Sequence, residues 1–179
     1  ITYMSKLNLI KNRNKGFLIW ITGLAGSGKT TLANEIYDFI QDKYGQTVVL
    51  SGDDLRKEFI FNKFDKKSRQ KYAMSFSCFC KKITDRRINL IFATVSLFKK
   101  VRAWNKKNIE NYIEVYVESD FKKLIKKRKK PFYKKVTKNI VGKDIAPELP
   151  NQPHIKIKND FKSMKILKKQ LIQKLNKVI

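Results

Sequence analysis

Apolar positions fall along the chain in short continuous runs that alternate with stretches of helical spacing. Phe17–Thr22 is an unbroken run ending at Gly23, which predicts a central strand buried on both faces. Beyond a glycine-rich turn, Leu32, Ala33, Ile36, Phe39 and Ile40 recur at helical spacing, and Tyr44-Gly45 supplies a stop. Thr47–Leu50, Ile88–Thr94, Ile113–Val117 and His154–Lys158 predict four more strands. A helix is expected over Ser68–Arg86. Another follows Ser119, taken as its cap, with Phe121, Leu124, Ile125 and Arg128 on one side. The last helix runs from about Phe161 to Val178, with Phe161, Met164, Leu167, Leu171, Leu175 and Val178 in one stripe. Such a basic amphipathic helix can lie on a membrane surface, but docking on the sheet is the expectation in a domain of this kind. Strands alternating with helices imply parallel βαβ units: a single α/β domain with a mainly parallel five-stranded sheet flanked by helices.

Two segments fit no regular element. Lys126–Asn139 is crowded with lysine around Pro131 and Tyr133, and Gly142–Pro153 carries three prolines. Together they read as a mobile basic lid, about 126–153, and its anchor. Residues 1–15 read as an N-terminal extension and 16–179 as the domain.

Composition narrows the class. At 179 residues the chain can bury one sizeable core but not two, and 42% hydrophobic with 31% charged residues is a globular balance. No apolar run approaches the roughly 20 residues of a spanning helix, and no signal-peptide pattern opens the chain. Cys78 and Cys80 lie two apart in a predicted helix, on nearly opposite faces, so reduced thiols and a cytoplasmic location are expected. His154, the single histidine, is expected in or beside a strand rather than in a catalytic dyad. The formal charge of +26 attracts polyanions. Lysine enrichment runs through every segment and is not gathered into one arm, so a general compositional skew is the simpler reading and nucleic acid is not the expected partner.

Gly23-Leu-Ala-Gly-Ser-Gly28-Lys29-Thr30 is a complete phosphate-loop pattern between a buried strand and an amphipathic helix. Glycines let the backbone curl so that successive N–H groups face a phosphate. Lys29 reaches the terminal phosphates, and the Thr30 hydroxyl suits the magnesium ion that bridges them. The ATP-binding set is therefore Gly23, Leu24, Ala25, Gly26, Ser27, Gly28, Lys29, Thr30 and Thr31. A switch or motor usually ends another strand with a magnesium-holding aspartate, and Asn89–Thr94 has none. The nearby acids are Asp53 and Asp54, followed by Arg56. They suit an acceptor hydroxyl and an anionic substrate, the needs of a small-molecule kinase. Helix N-capping is the plainer role for the same two acids. A nucleic-acid-binding phosphate-loop ATPase is the rival from another class, and a degenerate nucleotide-binding scaffold a weaker one.

Several segments carry a closer likeness: Leu50-Ser-Gly-Asp-Asp-Leu-Arg56, Asn62-Lys-Phe64 with Arg69, Val95-Ser-Leu-Phe-Lys99 with Arg102, Lys130-Pro-Phe-Tyr-Lys-Lys135, and Gly142, Asp144, Glu148, Pro150 and Pro153. With the phosphate loop, they make residues from Lys15 to about Pro153 resemble the adenylylsulfate (APS) kinase family, which phosphorylates the ribose 3'-hydroxyl of APS with MgATP. The resemblance implies that Asp53 orients or deprotonates the acceptor hydroxyl and shares magnesium with Thr30. It implies that Arg56, Arg69 and Lys130 grip the acceptor's anionic groups, that Phe64 packs on its base, that Val95 and Ser96 border it, and that Arg128 lies near the donor adenine. It also implies a homodimer. Three departures bear on the acceptor. Ser51 stands where the family has its first acid, Tyr72 where it has an acceptor-contacting Asn, and Ile140 where it has a Phe that sandwiches the acceptor base. A changed base is expected. One branch of similar proteins acts on cytidine diphosphoramidate in capsule phosphoramidate synthesis. That acceptor is slightly favoured over APS.

Overall fold

The computed structural model describes residues 8–128, 138–161 and 163–179, with the side chains of Lys127 and Arg128 left out. Five strands, β1 (Leu18–Thr22), β2 (Thr47–Ser51), β3 (Asn89–Thr94), β4 (Tyr112–Glu118) and β5 (Ile155–Lys158), form one sheet in the order β2-β3-β1-β4-β5. All four pairings are parallel. The helices are α1 (Lys29–Glu35), α2 (Tyr37–Tyr44), α3 (Gly52–Glu58), α4 (Lys66–Thr84), α5 (Lys99–Asn108), α6 (Phe121–Arg128) and α7 (Met164–Val178).

Both faces of the sheet are covered, as the unbroken apolar run of β1 requires. On one face Ile19, Ile21, Ile91 and Val115 meet Leu32 and Ile36 beside Leu167, Leu171 and Leu175. The apolar stripe of α7 is thus buried against the sheet. On the other face Leu18, Trp20, Leu90 and Phe92 pack with Phe76, Cys80 and Val101. Cys78, two residues away, is exposed. Among the described residues no helix is long and apolar enough to cross a membrane.

Helix ends differ from expectation where a polar side chain decides them. Asp65 caps α4 by accepting the Ser68 N–H at 3.0 Å, so the helix starts before Ser68. Asp120, not Ser119, caps α6: its Oδ1 accepts the Lys123 N–H at 2.8 Å, whereas the Ser119 hydroxyl is buried with no partner among the described residues. Phe161 takes φ 66° and Ser163 caps the last helix, which therefore begins at Met164. Helix α5 was not expected at all. Its inward face carries Arg102 and Asn105, and Arg102 Nε lies 3.0 Å from Glu114 Oε1. Its apolar side is short, with Val101 and the partly buried Trp104 beside these two polar groups, so it lacks a long apolar stripe.

Residues 8–15 run against the domain. The Leu9 N–H donates to the Val178 carbonyl at 2.7 Å, and Asn111 Oδ1 accepts the N–H groups of Lys11 and Asn12. Glu148, in the proline-rich segment, ties that segment to the carboxyl end of the sheet. Its N–H donates to the Leu97 carbonyl at 2.9 Å, and its Oε2 accepts the Lys99 N–H at 2.6 Å in the first turn of α5.

His154 stands just before β5, its Nδ1 accepting the Glu114 N–H at 2.9 Å. Burial, aided by Lys106 and Lys11, lowers its pKa from the ordinary 6.5. The folded histidine resists the proton that the unfolded chain accepts, so its contribution is present above pH 6.5 and is lost as pH falls through the lowered value. Stability is therefore expected to decline by about 1 kcal/mol on acidification as this bond breaks. Urea titrations of wild type and His154→Leu from pH 7.5 to 5 check this. A variant that keeps the full decline would assign it to other groups.

Candidate active site

The carboxyl ends of the parallel strands bring the site together, where ligands bind in open α/β sheets. After β1 the chain enters the loop at Gly23, where a Cβ would lie 2.5 Å from the Val117 carbonyl oxygen of β4. Gly28 takes φ 91° as the cap of α1. The Leu24 carbonyl accepts both the Ser27 N–H at 3.1 Å and Lys29 Nζ at 2.7 Å. Gly26, Gly28, Lys29, Thr30 and Thr31 line a cavity of about 530 Å³ at the first turn of α1, where the helix dipole favours an anion. Gly23, Leu24 and Ser27 are buried and form the frame of the loop.

After β2 the backbone turns directly into α3. Ser51 caps it: its Oγ accepts the Asp54 N–H at 3.2 Å, and Asp54 Oδ2 accepts the Ser51 N–H at 3.2 Å. Such a reciprocal box stabilises a helix start by about 1 kcal/mol. Ser51 and Asp54 therefore take the capping role between them, and Asp53 lines the same cavity as the loop. Gly52 permits the close fit, since a Cβ there would lie 2.8 Å from Thr94 Oγ1 on β3.

Arg56, on α3, and Arg69, on α4, converge on Phe64. Each guanidinium carbon lies 5.3 Å from the ring centroid, a cation–π arrangement. Arg69 is anchored, with Nε donating to the Phe64 carbonyl at 2.7 Å and Nη2 to the Asn139 carbonyl at 3.0 Å. Burial and then the charge of Arg56 lower its pKa, while Asp53 and Asp65 oppose the shift. Arg56 Nε and Nη1 are buried without a hydrogen-bond partner among the described residues. Two neighbouring guanidiniums, one with unsatisfied donors, have the chemistry to hold an anion. Arg56, Phe64, Arg69 and Val95 line the same cavity as Lys29, Thr30 and Asp53.

Other anticipated residues lie elsewhere. Tyr72 stacks on Phe61, with centroids 4.2 Å apart and planes 3° from parallel, on the flank of the core. Ser96 is buried, its carbonyl accepting the Thr22 hydroxyl at 3.3 Å. Ile140 is 1% exposed and its carbonyl accepts three N–H groups, while its neighbour Val141 lines the cavity. Lys130 and the Arg128 side chain lie outside the described residues, as does the middle of the expected lid. The sequence reading missed Lys57, which lines the cavity one residue beyond Arg56. It also missed Asn159, whose Nδ2 donates to the Ser27 carbonyl at 2.7 Å.

Among the described residues no group of three or more His, Cys, Asp or Glu side chains could hold a metal ion. The Thr30 hydroxyl and the Asp53 carboxylate are hard oxygen donors on one cavity. That set suits magnesium, which takes one or two protein oxygens, waters and substrate phosphates rather than an all-protein cage.

A phosphate loop heading a five-stranded parallel sheet, with a carboxylate and an arginine pair across one cavity, defines a phosphate-loop phosphotransferase. The model of the adenylylsulphate kinase family matches residues 15–158, and the chain belongs to that family. It is similar to the cytidine diphosphoramidate kinase of Campylobacter jejuni, 35% identical over 142 residues that cover 77% of this chain and 84% of the relative. A probable adenylyl-sulfate kinase of Pyrococcus abyssi is 30% identical over 148 residues, covering 80% and 85%. The fold matches that of the Mycobacterium tuberculosis APS kinase CysC in complex with AMPPNP and APS. The TM-score is 0.81 at 22% identity, over 90% of this chain and 98% of that one.

Proposed function

We propose that this kinase transfers the γ-phosphate of ATP to the ribose 3'-hydroxyl of a nucleotide carrying a small group on its phosphate chain, with cytidine diphosphoramidate favoured over adenylylsulfate. The observation that carries the reading is one cavity lined both by the phosphate loop and by Asp53, Arg56 and Arg69. Asp53 accepts the hydroxyl proton, and the guanidinium pair holds the acceptor's anionic chain. Lys29 and the loop N–H groups neutralise the three migrating oxygens. The Thr30 hydroxyl and the Asp53 carboxylate would hold magnesium together with the nucleotide, and the ion would supply charge neutralisation. The same reading takes the chain as a homodimer.

The cytidine preference is supported by the aliphatic lid anchor. Stacking on an aromatic ring is worth roughly 1–3 kcal/mol per base, and here Val141 lines the cavity beside a buried Ile140. A pyrimidine has less surface to lose by that change than adenine. The 35% likeness to a cytidine diphosphoramidate kinase points the same way. One observation favours adenylylsulfate: the Phe64 ring, 42% exposed, leaves aromatic surface at the cavity. Steady-state kinetics with the two acceptors at saturating MgATP separate the readings. About a tenfold or greater advantage in kcat/KM is expected for the cytidine compound, the value of one stacking contact. The reverse preference would make this an adenylylsulfate kinase.

A further inference from the structure

One buried side chain ties the phosphate loop to the far edge of the sheet. Asn159 follows β5, is 3% exposed, and its Nδ2 reaches the Ser27 carbonyl across 132 residues of chain. Two further polar groups of this residue are engaged as well. Oδ1 accepts the Phe161 N–H at 2.8 Å, and the main-chain N–H donates to the Glu118 carbonyl at 2.9 Å. The amide oxygen has to face the Phe161 N–H, so its NH2 has to face Ser27. The neighbours fix the orientation of the amide.

That orientation bears on the loop's chemistry. A trans peptide holds its C=O antiparallel to the following N–H. Fixing the Ser27 carbonyl toward Asn159 therefore turns the Gly28 N–H the opposite way, and Gly28 lines the cavity. An anion-binding loop needs its N–H groups turned inward and its carbonyls outward. Gly28, at φ 91°, gives little conformational resistance to a flip of the Ser27–Gly28 peptide, because glycine populates both halves of φ space. The glycines that permit the curl also permit its loss, and a hold from outside the loop is required.

We infer that Asn159 is a positioning residue for the phosphate loop, holding the Ser27–Gly28 peptide so that the Gly28 N–H is presented to the donor's phosphates. This rests on the proposed use of the loop as the ATP site. Asn159→Asp is the sharp test because it keeps the shape and the Phe161 bond. The substituted carboxylate sets an acceptor against the Ser27 carbonyl. ATP affinity of the folded fraction, by titration, is expected to fall about tenfold, with KM for the acceptor changed less than about twofold. Asn159→Ala, which removes the donor without adding an opposing acceptor, should show a smaller ATP loss. A general packing role predicts a lower Tm and a smaller active fraction with no change in the ATP affinity of the folded fraction, and that result would overturn the inference. So would wild-type ATP affinity in both variants. Wild-type protein that fails to bind ATP would remove the phosphate-loop reading on which the inference stands.

Discussion

Lys29→Ala is expected to reduce phosphoryl transfer by at least about 10²–10³-fold while leaving the protein folded, the scale seen when one charge-stabilising donor is removed from a transition state. Lys29 is buried at the first turn of α1 and lines the cavity, and its Nζ donates to the Leu24 carbonyl. A buried ammonium beside the loop is worth most when negative charge spreads over the migrating phosphoryl group, since the site's dielectric is low there. Stability should change little, because the Leu24 carbonyl keeps the Ser27 N–H at 3.1 Å. Turnover by coupled assay, with thermal unfolding on the same samples, checks both halves. Near-normal turnover in a folded variant would remove the phosphate loop from the mechanism.

Asp53→Asn is the second large effect, and it reads out differently. Asparagine matches the shape of aspartate but cannot take a proton, and general-base contributions run to about 10²–10⁴-fold. Because Ser51 and Asp54 close the capping box, the substitution leaves the start of α3 intact. The loss should therefore appear in kcat, with KM for ATP changed less than about threefold. Equal losses in kcat and in ATP affinity would instead make Asp53 chiefly a magnesium ligand.

Much of this was readable in the residues, for identifiable reasons. The strands declared themselves because a sheet covered on both faces needs continuous apolar runs, as in Leu18–Thr22 and Asn89–Thr94. The phosphate loop was legible because its signature is local, with its glycines, Lys29 and Thr30 all lying between Gly23 and Thr30. The carboxylate pair after β2 was legible and the resemblance singled out Asp53, but the pairing of Asp54 with Ser51 in a capping box was not. That depended on Ser51 being a cap, a role hidden behind its standing where the family has an acid. Helix α5 escaped because Arg102 and Asn105 face inward. Asn159 escaped for a different reason: its partner is 132 residues away, and an asparagine after a strand reads as an ordinary turn residue. Motif position in the sequence places Tyr72 and Ile140 beside the acceptor, whereas side-chain direction is set by packing. The first turns to Phe61 and the second into the interior beside Val141.

The central claim is that phosphate passes from ATP to a nucleotide 3'-oxygen across this cavity. Its most direct test is the position of the new phosphate after reaction of γ-labelled MgATP with cytidine diphosphoramidate, and separately with adenylylsulfate, read by phosphorus–proton NMR of the product. The account predicts a 3'-phosphomonoester with at least one of the two acceptors, the cytidine compound reacting faster. Label recovered only as inorganic phosphate, with neither acceptor modified, would contradict it.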